Sequence, residues 1–527
     1  MNKKLLLGAA ITLASLQVSA VPFAPTDARA MAMGGTGVAA AKTVHAVQFN
    51  PSLLSMGSDD DDFGLLLPQM GGYLSDEDEF IDSADAFADA DYATSFSDAI
   101  TDIEAPLNNI TTALDDITTA SDAEDLAAIN TATQTLNTHV TSLQLGTLAL
   151  TNATTNLNSG LASISEKALR GGLGGGLGIA IPSKKFSVAI SANNNISFSG
   201  KLTVAQADMN LLTDYTSATN AYASVLANYS SATAAVTSVL TDIDTETNGA
   251  NDTATLLGLA SDLDTAQTDL DTANTALTEF DYTGTAGNAI FVDGTLAPGA
   301  DNIELASTVS IIAVAISEVA ISISREFKIM ERDVAIGITP KLQRIDAYNY
   351  IVSASDETDT GDIADFGIED TGFNLDLGAS TKFGALEQGT VGIVIKNLIS
   401  KDIQTTDNNP LTNDLSISIS PQIRAGVAYQ AFGFVNLAAD LDLIENDPIA
   451  FESATQFLAL GAEADVLGFL QLRTGFRSNL AASGQDVISG GMGVSPFGLF
   501  HVDLGFYANT SAPEKEAGLV FELGLDW

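Results

Sequence analysis

The sequence predicts an all-β transmembrane barrel of about fourteen antiparallel strands with two long α-helical hairpin insertions. Three observations lead there. First, Lys3 and Lys4 precede an apolar run, Leu5–Leu16, and Val18, Ser19 and Ala20 fit the small-residue rule for signal cleavage before Val21. Residues 1–20 are therefore expected to be a signal peptide, and the mature chain to be exported. Second, 46% of the chain is hydrophobic, yet after the signal no apolar run reaches the ~18 residues of a spanning helix. The apolar residues alternate in short segments interleaved with glycine. Third, Gly518–Trp527 is an alternating strand that ends on an aromatic residue. An exported soluble β-protein is the alternative, and it accounts less well for the three together.

Composition removes several function classes. There is no cysteine, hence no disulfide, thiol nucleophile or thiolate metal site. The three histidines, His45, His139 and His501, are far apart in sequence and match no zinc spacing. No cofactor is expected. A net charge of −46 argues against nucleic-acid binding, which needs a basic footprint. Solvation of exposed loops explains the acidity; divalent-cation bridging to lipopolysaccharide is the sharper alternative.

Residues 21–62 form a separate N-terminal segment. Gly34, Gly35 and Gly37 allow tight backbone packing, and Asn50-Pro51 marks a turn. The glycines are not a nucleotide loop, because no lysine and no strand–helix context follow. Asp59–Asp62 is the densest charge run. It lacks calcium-loop spacing and fits a solvated turn.

The barrel is assigned to 63–75, 170–202 and 301–527. Phe63–Leu74 reads as the first strand. Residues 76–169 then turn rich in Ala, Thr, Asp and Leu with helical spacing. Ile100, Ile103, Leu107, Ile110, Leu114 and Ile117 follow a 3-4 pattern. Leu136, Val140, Leu143, Leu150, Leu157 and Leu161 share a heptad frame whose skipped positions hold Thr133, Thr147 and Thr154. Residues 203–282 repeat the device, with Tyr215, Tyr222, Tyr229 and Val236 before Asn248-Gly249 and Leu256, Leu263, Leu270 and Leu277 after it. Each insertion is a coiled-coil hairpin far longer than an ordinary loop.

Two strands between the insertions, Leu173–Ile181 and Phe186–Phe198, are joined by the short turn Pro182–Lys185. Short turns of bacterial barrels face the periplasm. Both insertions should then lie on the outer face and pack as an extracellular four-helix stalk. From 301 onward twelve candidate strands follow: 303–314, 316–327, 332–350, 371–382, 389–401, 415–429, 433–444, 455–466, 468–478, 485–496, 498–508 and 517–527. Asn408–Pro410 and Ser483-Gly484 are among the turns between them. The total is fifteen, one too many for an even number, so one candidate is expected to be wrong and fourteen strands are adopted.

The segment Ala28-Arg29-Ala30-Met31-Ala32-Met33-Gly34-Gly35, followed by Asn50-Pro51-Ser52, resembles the start of the FadL-like outer-membrane transport superfamily. Val21-Pro22-Phe23 and the strand Ile338–Gln343 make the chain most similar to its TraF-type conjugal-transfer members. The resemblance implies a fourteen-stranded barrel with residues 21–62 folded inside it as an N-terminal hatch or plug. It places Asn50 and Pro51 on the hatch signature and Gly34, Gly35 and Gly37 on the hatch glycines. Ser52 stands where alanine is usual. The helical insertions carry no resemblance, and no catalytic residue transfers. Thiol–disulfide exchange, the chemistry of thioredoxin-related proteins bearing the same name, is excluded without cysteine.

Gly171, Gly172, Gly174, Gly175 and Gly176 are candidate wall-kink residues. They would give either an opening or hatch contact in the wall, or a bend at the base of the insertion. Paired acids such as Glu445 and Asp447 are expected by chance among 67 acidic residues, so no enzyme is expected. Three functions remain: a hatch-plugged channel for small hydrophobic molecules, a protein-shuttle barrel of the PorV-like type, and an envelope or surface component of conjugal transfer. The expected partners are outer-membrane lipid, a hydrophobic small-molecule ligand, and, on the last two readings, an envelope or surface protein.

Overall fold

The computed structural model describes residues 27–57, 63–123, 125–299, 306–353, 367–405, 416–446, 448–449, 451–496 and 500–526. The expected signal at 1–20, the Asp59–Asp62 run, the Asn408–Pro410 turn and Trp527 lie outside them. The chain divides into two compact units. One takes Ser83–Ser165 and Val204–Ser307; the other takes Asn2–Asp82, Glu166–Thr203 and Thr308–Trp527.

The strands, in chain order, are β1 (Gly64–Ser75), β2 (Ala168–Ile181), β3 (Ser187–Thr203), β4 (Tyr282–Thr283), β5 (Ala289–Val292), β6 (Thr295–Leu296), β7 (Thr308–Ile329), β8 (Arg332–Ser353), β9 (Gly367–Phe383), β10 (Gly389–Lys396), β11 (Lys401–Gln404), β12 (Ser416–Ile419), β13 (Gln422–Ala431), β14 (Val435–Asp442), β15 (Phe457–Val466), β16 (Leu470–Asn479), β17 (Val487–Val494), β18 (Phe500–Asn509) and β19 (Glu516–Asp526). Fourteen of them close an antiparallel barrel. Its order is β1, β2, β3, β7, β8, β9, β10, β13, then β14 through β19 and back to β1. The surplus segment of the sequence reading is resolved here. Candidates 303–314 and 316–327 are one strand, β7, and the 415–429 candidate splits into β12 and β13.

Side chains alternate along the wall in the sense opposite to a soluble barrel. On β18, His501 and Asp503 are 2% and 3% exposed, whereas Leu504 and Phe506 are 38% and 53% exposed. Leu173, Val319, Phe373, Leu437, Leu472, Ile488 and Leu519 extend the outward apolar band around the ring. Apolar outside and polar inside is the pattern of an outer-membrane-type barrel, whose solvent is lipid. No helix among the described residues is long and apolar enough to cross a membrane.

The two ends of the barrel differ. Short turns join β2–β3, β7–β8, β9–β10, β13–β14 and β15–β16 at one end. At the other end the chain leaves β1 at Ser75 and re-enters at β2. It leaves β3 at Thr203, which pairs with Thr308 of β7.

The helical unit comprises α3 (Tyr92–Asp122), α4 (Leu126–Ile164), α5 (Gln206–Asn248) and α6 (Thr253–Thr278), after α1 (Ala28–Ala32) and α2 (Phe80–Asp89) earlier in the chain. Its four long helices share one apolar core, in which Ile103, Leu136, Leu143, Leu150, Tyr222, Tyr229, Val236 and Leu270 are buried. The seam threonines do not break it. Thr147 donates to the Leu143 carbonyl at 2.8 Å, so its hydroxyl is satisfied within the helix. Thr151 donates across to Thr219 at 2.8 Å. Asp125 and Asp252 cap α4 and α6 through their first-turn amides. The early leucines of α6, Leu256 and Leu263, are half-buried rather than core. Past Tyr282, where the sequence reading ended this insertion, β4–β6 form a small sheet. Phe291 of β5 stacks on Tyr222 at 4.5 Å.

Candidate functional site

The segment 27–57 touches strands all round the closed ring. Helix α1 packs on β16–β19, the turn Thr43–His45 on β1 and β2, and the turn Pro51–Ser55 on β3 and β7–β9. A segment in contact with every side of a closed barrel lies inside it. It is a plug, and nearly all of its residues are buried.

Glycine pairs on the wall let the plug backbone come this close. Gly337 pairs with Gly378, Gly392 with Gly426, Gly461 with Gly475 and Gly491 with Gly505, each pair on adjacent strands. A Cβ at any of the eight would meet the plug. At Gly461 it would lie 2.5 Å from the Met33 carbonyl, and at Gly392 2.8 Å from the Val38 carbonyl. The four pairs form the plug's seat.

Gly34, Gly35, Gly37, Asn50 and Pro51 all lie on this seat or support it. Gly34 sits at φ +73°, where an added Cβ would stand 2.6 Å from the Phe476 carbonyl; its amide donates to Ser489 Oγ at 2.9 Å. Gly35, at φ +91°, returns its amide to the Ala30 carbonyl at 2.7 Å. The amides of Gly37 and Val38 both donate to Asp440 Oδ2, at 2.7 and 2.9 Å. Asn50 is fully buried and bonds in two directions. Its Nδ2 donates to Val38 O and Ser380 Oγ at 2.9 and 3.0 Å; its Oδ1 accepts from the Ser52 amide at 3.2 Å and the Ser52 hydroxyl at 2.6 Å. Ser52, the departure from the usual alanine, thus completes this junction, and its hydroxyl also meets Ser380 Oγ at 2.7 Å.

Charge holds the other end of the plug. Arg29 pairs with Glu463, which also takes Arg473 at 2.7 Å; Arg473 reaches Asp503 in turn. His45 Nε2 lies 2.6 Å from Glu522 Oε1. Burial alone would lower the His45 pKa, but Asp27 and Glu522 outweigh it and raise the value to about 9. Sequence separation hid that His45 and His501 meet, with ring centroids 6.4 Å apart.

Gly171, Gly172, Gly174, Gly175 and Gly176 lie in β2, which pairs with β3 without interruption from Ala168 to Ile181. Aromatic rings cover two of them, Phe198 over Gly171 and Tyr73 over Gly172. The register shift lies on the β1 edge, between Leu66↔Gly178 and Gln69↔Gly176, around Pro68, which has no amide to give to a ladder.

Beside α1, within the lumen, is a cavity of about 120 Å³. Met31, Tyr73, Phe457 and Tyr507 give it apolar faces; Glu77, Arg170, Glu452, Arg477 and Glu516 give it charge. Arg477 lies over Phe457 and Tyr507 at 4.6 and 4.9 Å and pairs with Glu516 at 3.1 Å. Arg170 pairs with Asp78 at 2.9 Å. One N–H position of each guanidinium, Nη1 of Arg170 and Nε of Arg477, is buried without an acceptor. Burial pushes the Glu452 carboxyl up to about 7, although the Tyr73 hydroxyl, donating at 3.0 Å, and Arg170 pull the other way. These residues come from α1, β1, β2, β15, β16, β18, β19 and two connections, and no spacing in the sequence links them.

A family model described as "F plasmid transfer operon, TraF, protein" matches residues 47–442. The chain belongs to the TraF family. No curated protein matches the chain. Among solved structures, the Ralstonia pickettii toluene transporter TbuX aligns at TM-score 0.43 and 9% identity over 95% of this chain and 98% of that one. The P. putida toluene transporter TodX aligns at 0.40 and 9% over 95% and 98%, and the CymD monoaromatic hydrocarbon channel at 0.38 and 8% over 95% and 96%. These neighbours are channels and transporters rather than enzymes. The barrel class of this TraF-family chain rests on its own strand pairing, and a fourteen-stranded wall around an N-terminal segment is what the FadL-like resemblance implied.

Proposed function

We propose that this TraF-family barrel is a plugged outer-membrane channel for small hydrophobic molecules that carry a hydrogen-bond acceptor. The lumen cavity carries this reading. At about 120 Å³ it is close to the ~150 Å³ that holds a single benzene ring. Its aromatic and methionine faces suit an apolar body. The unpaired N–H groups of Arg170 and Arg477 suit a carboxylate or hydroxyl, since a buried donor without a partner costs about 1–3 kcal/mol. Passage requires the plug to yield, and the Asn50–Pro51 junction on Gly337 and Gly378 is the hinge we assign. The β1–β2 and β3–β7 connections, which contain the two helical insertions, are assigned to the outer face, because short turns join the strands at the opposite end.

The test is uptake into proteoliposomes of single-ring aromatic acids and short fatty acids, comparing wild type with the Asn50→Ala, Pro51→Ala double variant. The variant should change the uptake rate while its barrel stays folded. Equal rates in the two proteins would rule out the hinge.

A second reading takes the insertions as a surface-contact element of conjugal transfer. It is favoured by their own closed core, which lets the helical unit stand as a compact body. Deleting 80–169 and 204–280 should then abolish contact function and leave the barrel's ligand binding intact.

A further inference from the structure

Granted that the lumen holds a ligand, as proposed above, we infer that the cavity beside α1 selects neutral single-ring phenols, with the one hydroxyl accepting from Arg170 and donating to Glu452. Four residues that line the cavity each keep a polar atom buried without a hydrogen-bond partner: Arg170 Nη1, Arg477 Nε, Glu452 Oε2 and Thr455 Oγ1. The two guanidinium positions only donate, and an ionised carboxylate oxygen only accepts. Arg170 is near enough to pull on the Glu452 carboxyl, yet neither Nη1 nor Oε2 is bonded. A group that takes a hydrogen bond from one and gives one to the other satisfies both. A hydroxyl does this with a single oxygen, and its second lone pair is open to Arg477 Nε or Thr455 Oγ1.

These atoms are held in place from behind. The Arg477 guanidinium lies over Phe457 at 4.6 Å and over Tyr507 at 4.9 Å and pairs with Glu516, so its plane is not free to swing toward another acceptor. Arg170 is pinned by Nε to the Phe451 carbonyl at 2.6 Å and by Nη2 to Asp78 at 2.9 Å. The Tyr73 hydroxyl holds the other Glu452 oxygen at 3.0 Å. Thr455 is fixed by backbone pairing with Asn446, at 2.8 and 2.9 Å. Each side chain is bonded to the scaffold on one side and keeps its remaining capacity for the cavity. Polar groups fixed in advance lose little freedom when a ligand arrives.

Charge decides between ligand classes. The described residues of the site set two arginines against four carboxylates, Glu77, Asp78, Glu452 and Glu516. They hold no surplus positive charge for an anion, and burying a carboxylate without one is costly. An ammonium group donates to Glu452 but leaves both guanidinium N–H groups unmatched. An ether accepts but has no proton for Glu452, and a hydrocarbon offers neither. Size decides the rest. A volume of about 120 Å³, near the ~150 Å³ that takes one benzene ring, admits a single ring and no long chain. Met31 and Phe457 supply apolar wall for that ring.

The test is a fluorine NMR titration of the full chain in detergent at pH 8, corrected against detergent alone, with 4-fluorophenol, 4-fluoroanisole, fluorobenzene and 4-fluorobenzoate. At that pH Glu452 is mostly ionised, whereas a phenol, with a pKa of about 10, is not. 4-Fluorophenol should bind at least ~10-fold more tightly than each of the other three, as expected when a buried polar group is otherwise left unmatched. Glu452→Met should bring it down to the affinity of fluorobenzene and leave fluorobenzene unchanged. If Glu452→Met does not fold, the anisole, whose oxygen carries a methyl group in place of the proton, decides in the wild type. Fluorobenzene, anisole or benzoate binding as tightly as the phenol, or a folded Glu452→Met that keeps the preference, would overturn the phenol assignment and leave the channel reading standing. Binding by none of the four would overturn both.

Discussion

Arg29 of the plug and Glu463 of β15 form a two-point ion pair inside the barrel, Nε to Oε2 at 2.8 Å and Nη2 to Oε1 at 2.9 Å. Glu463 also serves Arg473 on the next strand. One carboxylate therefore anchors the plug and balances the wall. Glu463→Gln leaves two buried guanidinium groups short of their partner, and removing one member of a buried pair costs about 3–5 kcal/mol. The loss should fall on the plug first. Hydrogen exchange across 27–57 should rise while the strands β8 and β9 stay protected.

Gly34 and Gly468 separate backbone strain from steric exclusion. Both have positive φ, at +73° and +75°. Alanine at Gly468 meets open space and should cost only the left-handed penalty of about 1–2 kcal/mol. Alanine at Gly34 would also drive its Cβ against the Phe476 and Leu460 carbonyls. Gly34→Ala should be clearly the more destabilising of the two in urea unfolding, and the one that lifts the plug from its seat.

The helical unit offers two glycines of opposite sign. A side chain at Gly146 of α4 runs into the Asp102 carbonyl of α3. Overpacking of this kind costs about 1–3 kcal/mol, more than the ~1 kcal/mol that helix propensity returns on replacing glycine. Gly258 of α6 has nothing within 4 Å. Gly146→Leu should lower the melting temperature of the helical signal, and Gly258→Ala should raise it, adding up to about 1 kcal/mol of stability.

Glu452 gives the cavity a pH dependence. Its carboxyl sits at about 7 in the folded chain, above the ordinary 4.5, because burial raises it. Glu77 and Glu516 add to the rise, while the Tyr73 hydroxyl and Arg170 oppose it. The folded state holds this proton more tightly than the unfolded one. The resulting stability is fully present below about 4.5 and is lost as pH rises through about 7. Unfolding midpoints between pH 4.5 and 8 should fall in the wild type from this group and flatten in Glu452→Gln.

The sequence carried the barrel, because each strand must show lipid an apolar face every second residue. It cut β7 at Ala315, a residue that pairs with Ile196 on one side and Asp346 on the other without a break. In a polar lumen an inward acid is an ordinary strand residue, and Glu318 pairs there with Lys341 at 3.0 Å. The Asn50-Pro51 turn and the plug glycines were visible as a local motif. Their receptors were not. Gly337, Gly378, Gly461 and Gly475 are single glycines in different strands, and only the barrel register aligns them into pairs. His45 and His501 were set aside on spacing, yet closure of the barrel brings β18 and β19 against the plug. The cavity's Arg170, Glu452 and Arg477 have the same origin. Such sites are made by closure, and local pattern does not record them.

Native mass spectrometry of the protein extracted gently from outer membranes tests the central claim, a ligand-holding lumen above a plug, most directly. Met31 lines the cavity from the plug side, so Met31→Trp fills it without touching the seat. The wild type should carry one small apolar molecule, released intact on activation, and Met31→Trp should carry none. A wild type with an empty lumen, or a variant that retains the same molecule, would contradict the channel account and turn attention to the helical unit and its partners.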